Sequence, residues 1–366
     1  MRLHSYHSER GQSLVIVTLL SIALIGMLAI VLDGGYAYLQ RRVAQNAADA
    51  GALAGAREWC MTKNADLAVA RALEYAVDRN GAVEADASLD SGEVTVVTRI
   101  PFQTAFARVF GQPEMTAVAE AAAGCFYPSM ATGVLPVAWS CRAGQLVLPD
   151  GRCNVDYNQT FIIMDSSKIT EDHCAPLGTL DCDTDDDGFN DMLRGGDRSW
   201  LDLSGKCGGG SCLPDWITNG LPFPIEIHTW FPGQTGDPKP IYEAAKARQG
   251  QVVLLPTFDL ICQGDPASDP ACGFHYSLDK YPPDGGCSSG QWCYHVIGFS
   301  AFVIDCVSRK PGETCPEKTL AVDAGILDKQ DSTIEGHFVE GGFVPGLGGK
   351  TTDGVDMGLY TLYLTR

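Results

Sequence analysis

The sequence predicts a single N-terminal transmembrane helix, a small α/β juxtamembrane unit, and a β-rich, disulfide-stapled exterior domain of sandwich or barrel type. Three observations carry this expectation. Residues 13–32 (SLVIVTLLSIALIGMLAIVL) form one apolar run without charge or proline. All fourteen cysteines lie beyond that run. From residue 126 onward, short alternating segments are separated by Gly, Pro, Asp and Cys, the pattern of an all-β domain with long loops.

The apolar run comes first. At about 1.5 Å per residue it makes a helix of about 30 Å, the thickness of a hydrocarbon core. A cleaved signal has a shorter apolar part, about 7–15 residues, and a nearby small-x-small site. Here the run passes into Asp33-Gly34-Gly35-Tyr36, so a retained anchor is expected. Charge leaves the orientation open, because Arg2 and Arg10 precede the span and Arg41 and Arg42 follow it. The cysteines place the body outside, since disulfides persist where the compartment oxidises them. A cytoplasmic tip of residues 1–12 and a single-pass cell-membrane topology follow.

Strong helix formers continue the helix to about residue 56, with a small-residue stripe of Leu39, Val43, Ala47, Ala50 and Ala54. Such a stripe packs on the chain's own next unit or on a partner helix. Residues 57–125 read as the α/β unit. It has a helix at 65–79, a strand at 93–100, a short helix from Pro101 to Phe110 stopped by Gly111, and a strand at 115–123. In 126–366 strands are expected at 145–148, 160–164, 225–230, 251–258, 295–306, 333–338 and 359–365, with a glycine-rich loop at 341–354.

Composition limits the function classes. A net charge of −19 argues against nucleic acid or an anionic membrane surface as the body's partner. Cys60 and Cys125 bracket the α/β unit. The other twelve cysteines fall in couples along the chain: Cys141/Cys153, Cys174/Cys182, Cys207/Cys212, Cys262/Cys272, Cys287/Cys293 and Cys306/Cys315. Connectivity does not follow from sequence, but neighbour pairing across each loop is the economical expectation. Cys207 and Cys212 approach a zinc knuckle, yet no second knuckle or His pair accompanies them.

The sharpest local motif is D-x-D-x-D-G-x-x-D at 183–191. Asp183, Asp185, Asp187 and Asp191 offer alternate carboxylates, Phe189 offers its carbonyl, and Gly188 permits the tight turn. The spacing fits oxygen-rich Ca2+ chemistry, with a solvated acidic loop as the alternative. Arg194 stands where an EF-hand has its closing Glu, so the loop is closer to dockerin or thrombospondin type 3 calcium loops. Enzyme motifs fail on inspection. Phe302 spoils a G-x-S-x-G elbow at 298–302, and Val344 spoils a P-loop ending at Lys350. His228, beside Thr229 and Trp230, reads as a packed or surface strand residue. No catalytic constellation emerges.

A family resemblance enters at residues 9–56. The carrying pieces are Arg10-Gly11, the apolar run, Asp33-Gly34-Gly35-Tyr36, Arg41-Arg42, Gln45-Asn46-Ala47-Ala48-Asp49-Ala50 and Ala52-Leu53-Ala54-Gly55-Ala56. This segment resembles TadE/TadG-like proteins of the Flp (tight-adherence) pilus system, and residues 60–125 continue the likeness more weakly. The resemblance implies a membrane-anchored, non-catalytic component of pilus assembly or cell-surface adhesion. It also implies other Tad/Flp pilus-assembly proteins as partners through helix 13–56, besides the lipid bilayer. Processed pilins carry Glu at the fifth position after the cleaved glycine, whereas Ile16 stands there, so the likeness is to the TadG type. A calcium-dependent adhesin and an exported hydrolase with a site assembled from distant residues are the alternatives.

Overall fold

In the computed structural model, residues 12–140, 157–166, 200–207, 210–234, 239–282, 284–309, 312–325, 327–340, 342–352 and 354–366 are described. The chain divides into two compact units, residues 1–125 with 362–366, and residues 126–361.

The first unit begins with α1 (Gln12–Thr62), an unbroken helix of 51 residues. At 1.5 Å per residue it is about 76 Å long, more than twice a membrane span. α2 (Ala65–Leu73) follows, its first turn capped by Asn64, whose side chain accepts from the Asp66 and Leu67 amides. It runs into a π-helical turn, Glu74–Arg79. Then come β1 (Glu84–Asp90), β2 (Glu93–Gln103) and β3 (Glu114–Phe126), joined antiparallel.

The β1–β2 hairpin turns on Ser91 and Gly92, both at positive φ (51° and 83°), as a two-residue type I′ turn requires. β2 alternates cleanly. Val94, Val96, Ile100 and Phe102 point to the core with Ala117, Ala119, Ala121 and Ala123 of β3, against the alanines of α1 and α2. The helix expected from Pro101 is corrected: β2 runs through Pro101 to Gln103, and only Ala107–Phe110 forms a 3-10 turn. β1 ends its pairing at Arg99, so no ladder bond on that side is asked of the proline nitrogen.

The second unit contains β4 (Met130–Ala131), β5 (Trp139–Ser140), β6 (Thr160–Asp165), α3 (Leu213–Asn219), β7 (Ile225–Glu226), β8 (Thr229–Pro232), α4 (Lys239–Ala247), β9 (Val252–Gln263), β10 (Trp292–Ser308), α5 (Pro316–Asp323), β11 (Thr333–Phe338) and β12 (Leu347–Gly348). Its main sheet has the order β5-β9-β10-β11-β6. β8 shares the β11 edge of β10, pairing Cys293–Val296 while β11 pairs Phe302–Ser308. A small sheet has the order β12-β4-β7. These sheets are open. Of the sandwich and barrel alternatives, the barrel is therefore set aside.

The main core centres on buried aromatics: Trp200, Phe231, Tyr242, Tyr294, Phe299, Phe302 and Phe338. A separate small cluster holds Trp230 with Cys262, Cys272 and Cys293. The last strand, β13 (Thr361–Leu364), joins the sheet of the first unit beside β3, and the Thr365 amide donates to the Ala122 carbonyl at 2.8 Å.

Candidate functional site

The segment from residue 12 to residue 58 has two halves that differ in what covers them. From Leu14 to Leu32 every large apolar side chain is solvent-facing, between 49 and 76 % exposed. A soluble protein does not leave such a surface bare. Among the described residues this is the one helix long and apolar enough to cross a membrane. Its polar side chains are satisfied within the helix. Thr18 Oγ1 donates to the Leu14 carbonyl and Ser21 Oγ to the Val17 carbonyl, each at 2.8 Å. That internal satisfaction is what a hydrocarbon environment demands.

The junction is built by Asp33. Its carboxylate accepts three backbone amides from one turn: Ala105 at 2.8 Å, Phe106 at 2.9 Å and Ala107 at 2.6 Å. Tyr36 packs edge-on against Phe102, with ring centroids 5.4 Å apart. Together they fasten the exit of the apolar run to the far end of the β2–β3 hairpin.

Beyond the junction the helix is covered. Ala44, Ala47, Ala48, Ala52 and Ala56 are fully buried. Glycines set the depth of the contact. A Cβ at Gly51 would meet the Ala72 carbonyl at 2.8 Å, and one at Gly55 would meet Val94 Cγ1 at 2.8 Å. The expected stripe holds in part: Ala47 is fully buried and Val43 packs against the core, but Leu39 is 54 % exposed and Ala50 and Ala54 sit at the margin, while the 44/48/52/56 row lies in the core. Residues 44–56 are engaged by the chain's own first unit. The most exposed stretch of the helix lies between residues 13 and 42.

The carboxylates of the acidic loop, Asp183, Asp185, Asp187 and Asp191, and its Phe189, lie outside the described residues. So do Cys141, Cys153, Cys174 and Cys182. Disulfides join Cys60–Cys125, Cys207–Cys212, Cys262–Cys272, Cys287–Cys293 and Cys306–Cys315, and no described cysteine is free. Sequence reasoning passed over the anchoring role of Asp33. The signal was a lone acid placed directly after the apolar run.

Residues 11–58 match the family described as "Putative Flp pilus-assembly TadE/G-like". No curated protein and no solved structure matches the chain. The matched segment supports involvement in Flp pilus assembly, with a membrane helix and association with pilus-assembly proteins as what the family suggests.

Proposed function

We propose that this chain, whose residues 11–58 carry the TadE/G-like segment, is a membrane-anchored, non-catalytic component of the Flp pilus-assembly machinery, of the TadG type. Residues 13–32 cross the cell membrane once, the tip of residues 1–12 is cytoplasmic, and the disulfide-bearing body is extracytoplasmic. The observation that carries this reading is the contrast along one helix. The matched segment is bare and apolar in its first half and buried against its own sheet in its second. A membrane accounts for the first half, and the protein's own first unit accounts for the second.

The open helix face between residues 13 and 42 then contacts other Tad/Flp proteins, through the bilayer and its outer margin. Photo-crosslinkers placed singly at Leu20, Leu28, Leu39 and Ala48, followed by purification from membranes and mass spectrometry, test this. Crosslinks to the pilus secretion platform from the exposed positions and none from buried Ala48 are expected. A chain recovered free of pilus-assembly proteins from every position overturns the reading. Calcium at the 183–191 loop is a further part of the proposal and rests on ligand spacing in the sequence.

A further inference from the structure

We propose that His228, Asp279 and His295 form a binding site for one divalent transition-metal ion of the zinc class, with Asp259 orienting His295. The inference goes beyond the pilus-assembly reading and does not depend on it.

Four separate segments of the second unit converge here. His228 sits in the turn between β7 and β8, His295 on β10, Asp259 on β9, and Asp279 in the loop that follows Cys272. The metal-ligating atoms of His228, Asp279 and His295 all lie within 4.8 Å of one another. Ligands on a common zinc ion at 2.0–2.1 Å stand about 3.3 Å apart in a tetrahedron. The upper bound of the present spacing is wider than that, so metal binding requires the half-buried His228 ring to turn toward the other two.

Each partner is aimed by its surroundings. His295 is only 7 % exposed, and its Nε2 is fully buried without a hydrogen-bond partner among the described residues. That nitrogen faces Asp279 Oδ1 at 3.4 Å. A buried nitrogen whose one polar neighbour is this long, poorly aligned contact is costly unless a better partner fills the site. The other ring nitrogen, Nδ1, is 2.7 Å from Asp259 Oδ1. A carboxylate behind an imidazole fixes its tautomer and turns the opposite nitrogen into a ligand, the usual outer-shell arrangement of a metal-bound histidine. Asp259 reaches this position through a bulge. His295 pairs with Leu260 and Val296 with Phe258, which leaves Asp259 as the extra residue between them.

Asp279 is held equally firmly. Its Oδ2 accepts from Trp230 Nε1 at 2.8 Å and from the His275 amide at 2.9 Å, which leaves Oδ1 for the site. The loop carrying it is fastened at both ends by Cys262–Cys272 and Cys287–Cys293. His228 has φ +58°, a left-handed conformation that costs a non-glycine residue about 1–3 kcal/mol and concentrates at functional sites. Two backbone bonds hold it there, its amide to Val296 and its carbonyl from Lys280, at 2.7 and 2.8 Å. Lys280 itself is paired with Glu226.

Two imidazoles and one carboxylate select a borderline transition metal over calcium or magnesium, which take oxygen ligands. Three protein ligands leave a fourth position for water. The partial exposure of His228 gives an ion a way in, while the Asp279 side chain is itself buried.

The test uses the full chain without a polyhistidine tag, purified in detergent, stripped with chelator and titrated with Zn2+ and Co2+ in excess Ca2+. One equivalent bound, with the visible Co2+ spectrum of a four-coordinate site, is expected. His228→Ala, which alters only a half-buried turn residue, should weaken binding at least tenfold. Asp259→Asn should weaken it about 10–100-fold while metal-free melting stays cooperative. No saturable binding by the wild type, or equal affinity in the wild type and His228→Ala, overturns the proposal.

Discussion

Thr98 Oγ1, on β2, donates a hydrogen bond to the Ala44 carbonyl, on α1, at 2.8 Å across a fully buried contact. Fifty-four residues separate the two. The bond fixes where the sheet meets the helix, and the neighbouring glycines fix how close it comes. Gly→Ala within a helix ordinarily stabilises by about 1 kcal/mol. At Gly51 the new methyl would overlap a backbone carbonyl, which cannot move aside, so overpacking wins. Gly51→Ala is expected to destabilise by about 1–3 kcal/mol. Gly35→Ala, where nothing lies within 4 Å, should be neutral or stabilising. Melting of the detergent-solubilised variants distinguishes the two signs.

The disulfides divide by loop length. Cys60–Cys125 closes 65 residues, whereas Cys207–Cys212 closes five. In the loop-entropy picture the first stabilises by about 4 kcal/mol and the second by about 2 kcal/mol. Replacing each pair by serine should reproduce that order in denaturant midpoints under non-reducing conditions. Equal losses would show that native packing, rather than loop closure, sets their worth.

Glu313 gives stability a definite pH dependence. The Arg309 amide, at 2.8 Å, and the Lys246 ammonium, at 3.1 Å, hold its carboxyl down at about 2 against an ordinary 4.5. A depressed carboxylate contributes fully above its unfolded value and loses the contribution as pH falls through the folded one. The melting difference between wild type and Glu313→Gln should therefore be full above pH 4.5 and vanish toward pH 2. A difference that grows on acidification would reverse the assignment.

The proposed calcium loop has a direct thermal test. Calcium should raise the melting temperature relative to chelator, and Asp185→Ala with Asp187→Ala should abolish the rise. Identical melting in calcium and chelator would remove calcium from the account.

How much was legible depended on whether the signal was local. The apolar run and β11 announce themselves by length, pattern and bracketing turn residues. Four of the five disulfides among described residues close 5–10 residues, a closeness that spacing displays. β1 (EADASLD) was not readable, because Asp, Ala and Ser are poor strand formers. It is a strand because the Ser91-Gly92 turn folds it onto β2. The buried face of α1 was legible only in part, at Val43 and Ala47, since alanines lie all round residues 44–56 and periodicity cannot choose among them. α3, α4 and α5 were missed as helices of seven to nine residues, too short for a clear repeat. The His228–Asp279–His295 cluster was beyond reach. Its members come from separate elements, and tertiary folding alone brings them together.

Sidedness is the claim on which the anchored reading turns, and thiol alkylation in intact cells tests it most directly. Cells are treated with a membrane-permeant maleimide before lysis, then with a second, heavier reagent after reduction, and the chain is resolved by mass. Every cysteine labelled only by the second reagent, with release of the body by external protease in permeabilised envelopes, is the expected result. Cysteines captured by the first reagent, in a body that protease reaches only after the inner membrane is broken, would contradict it.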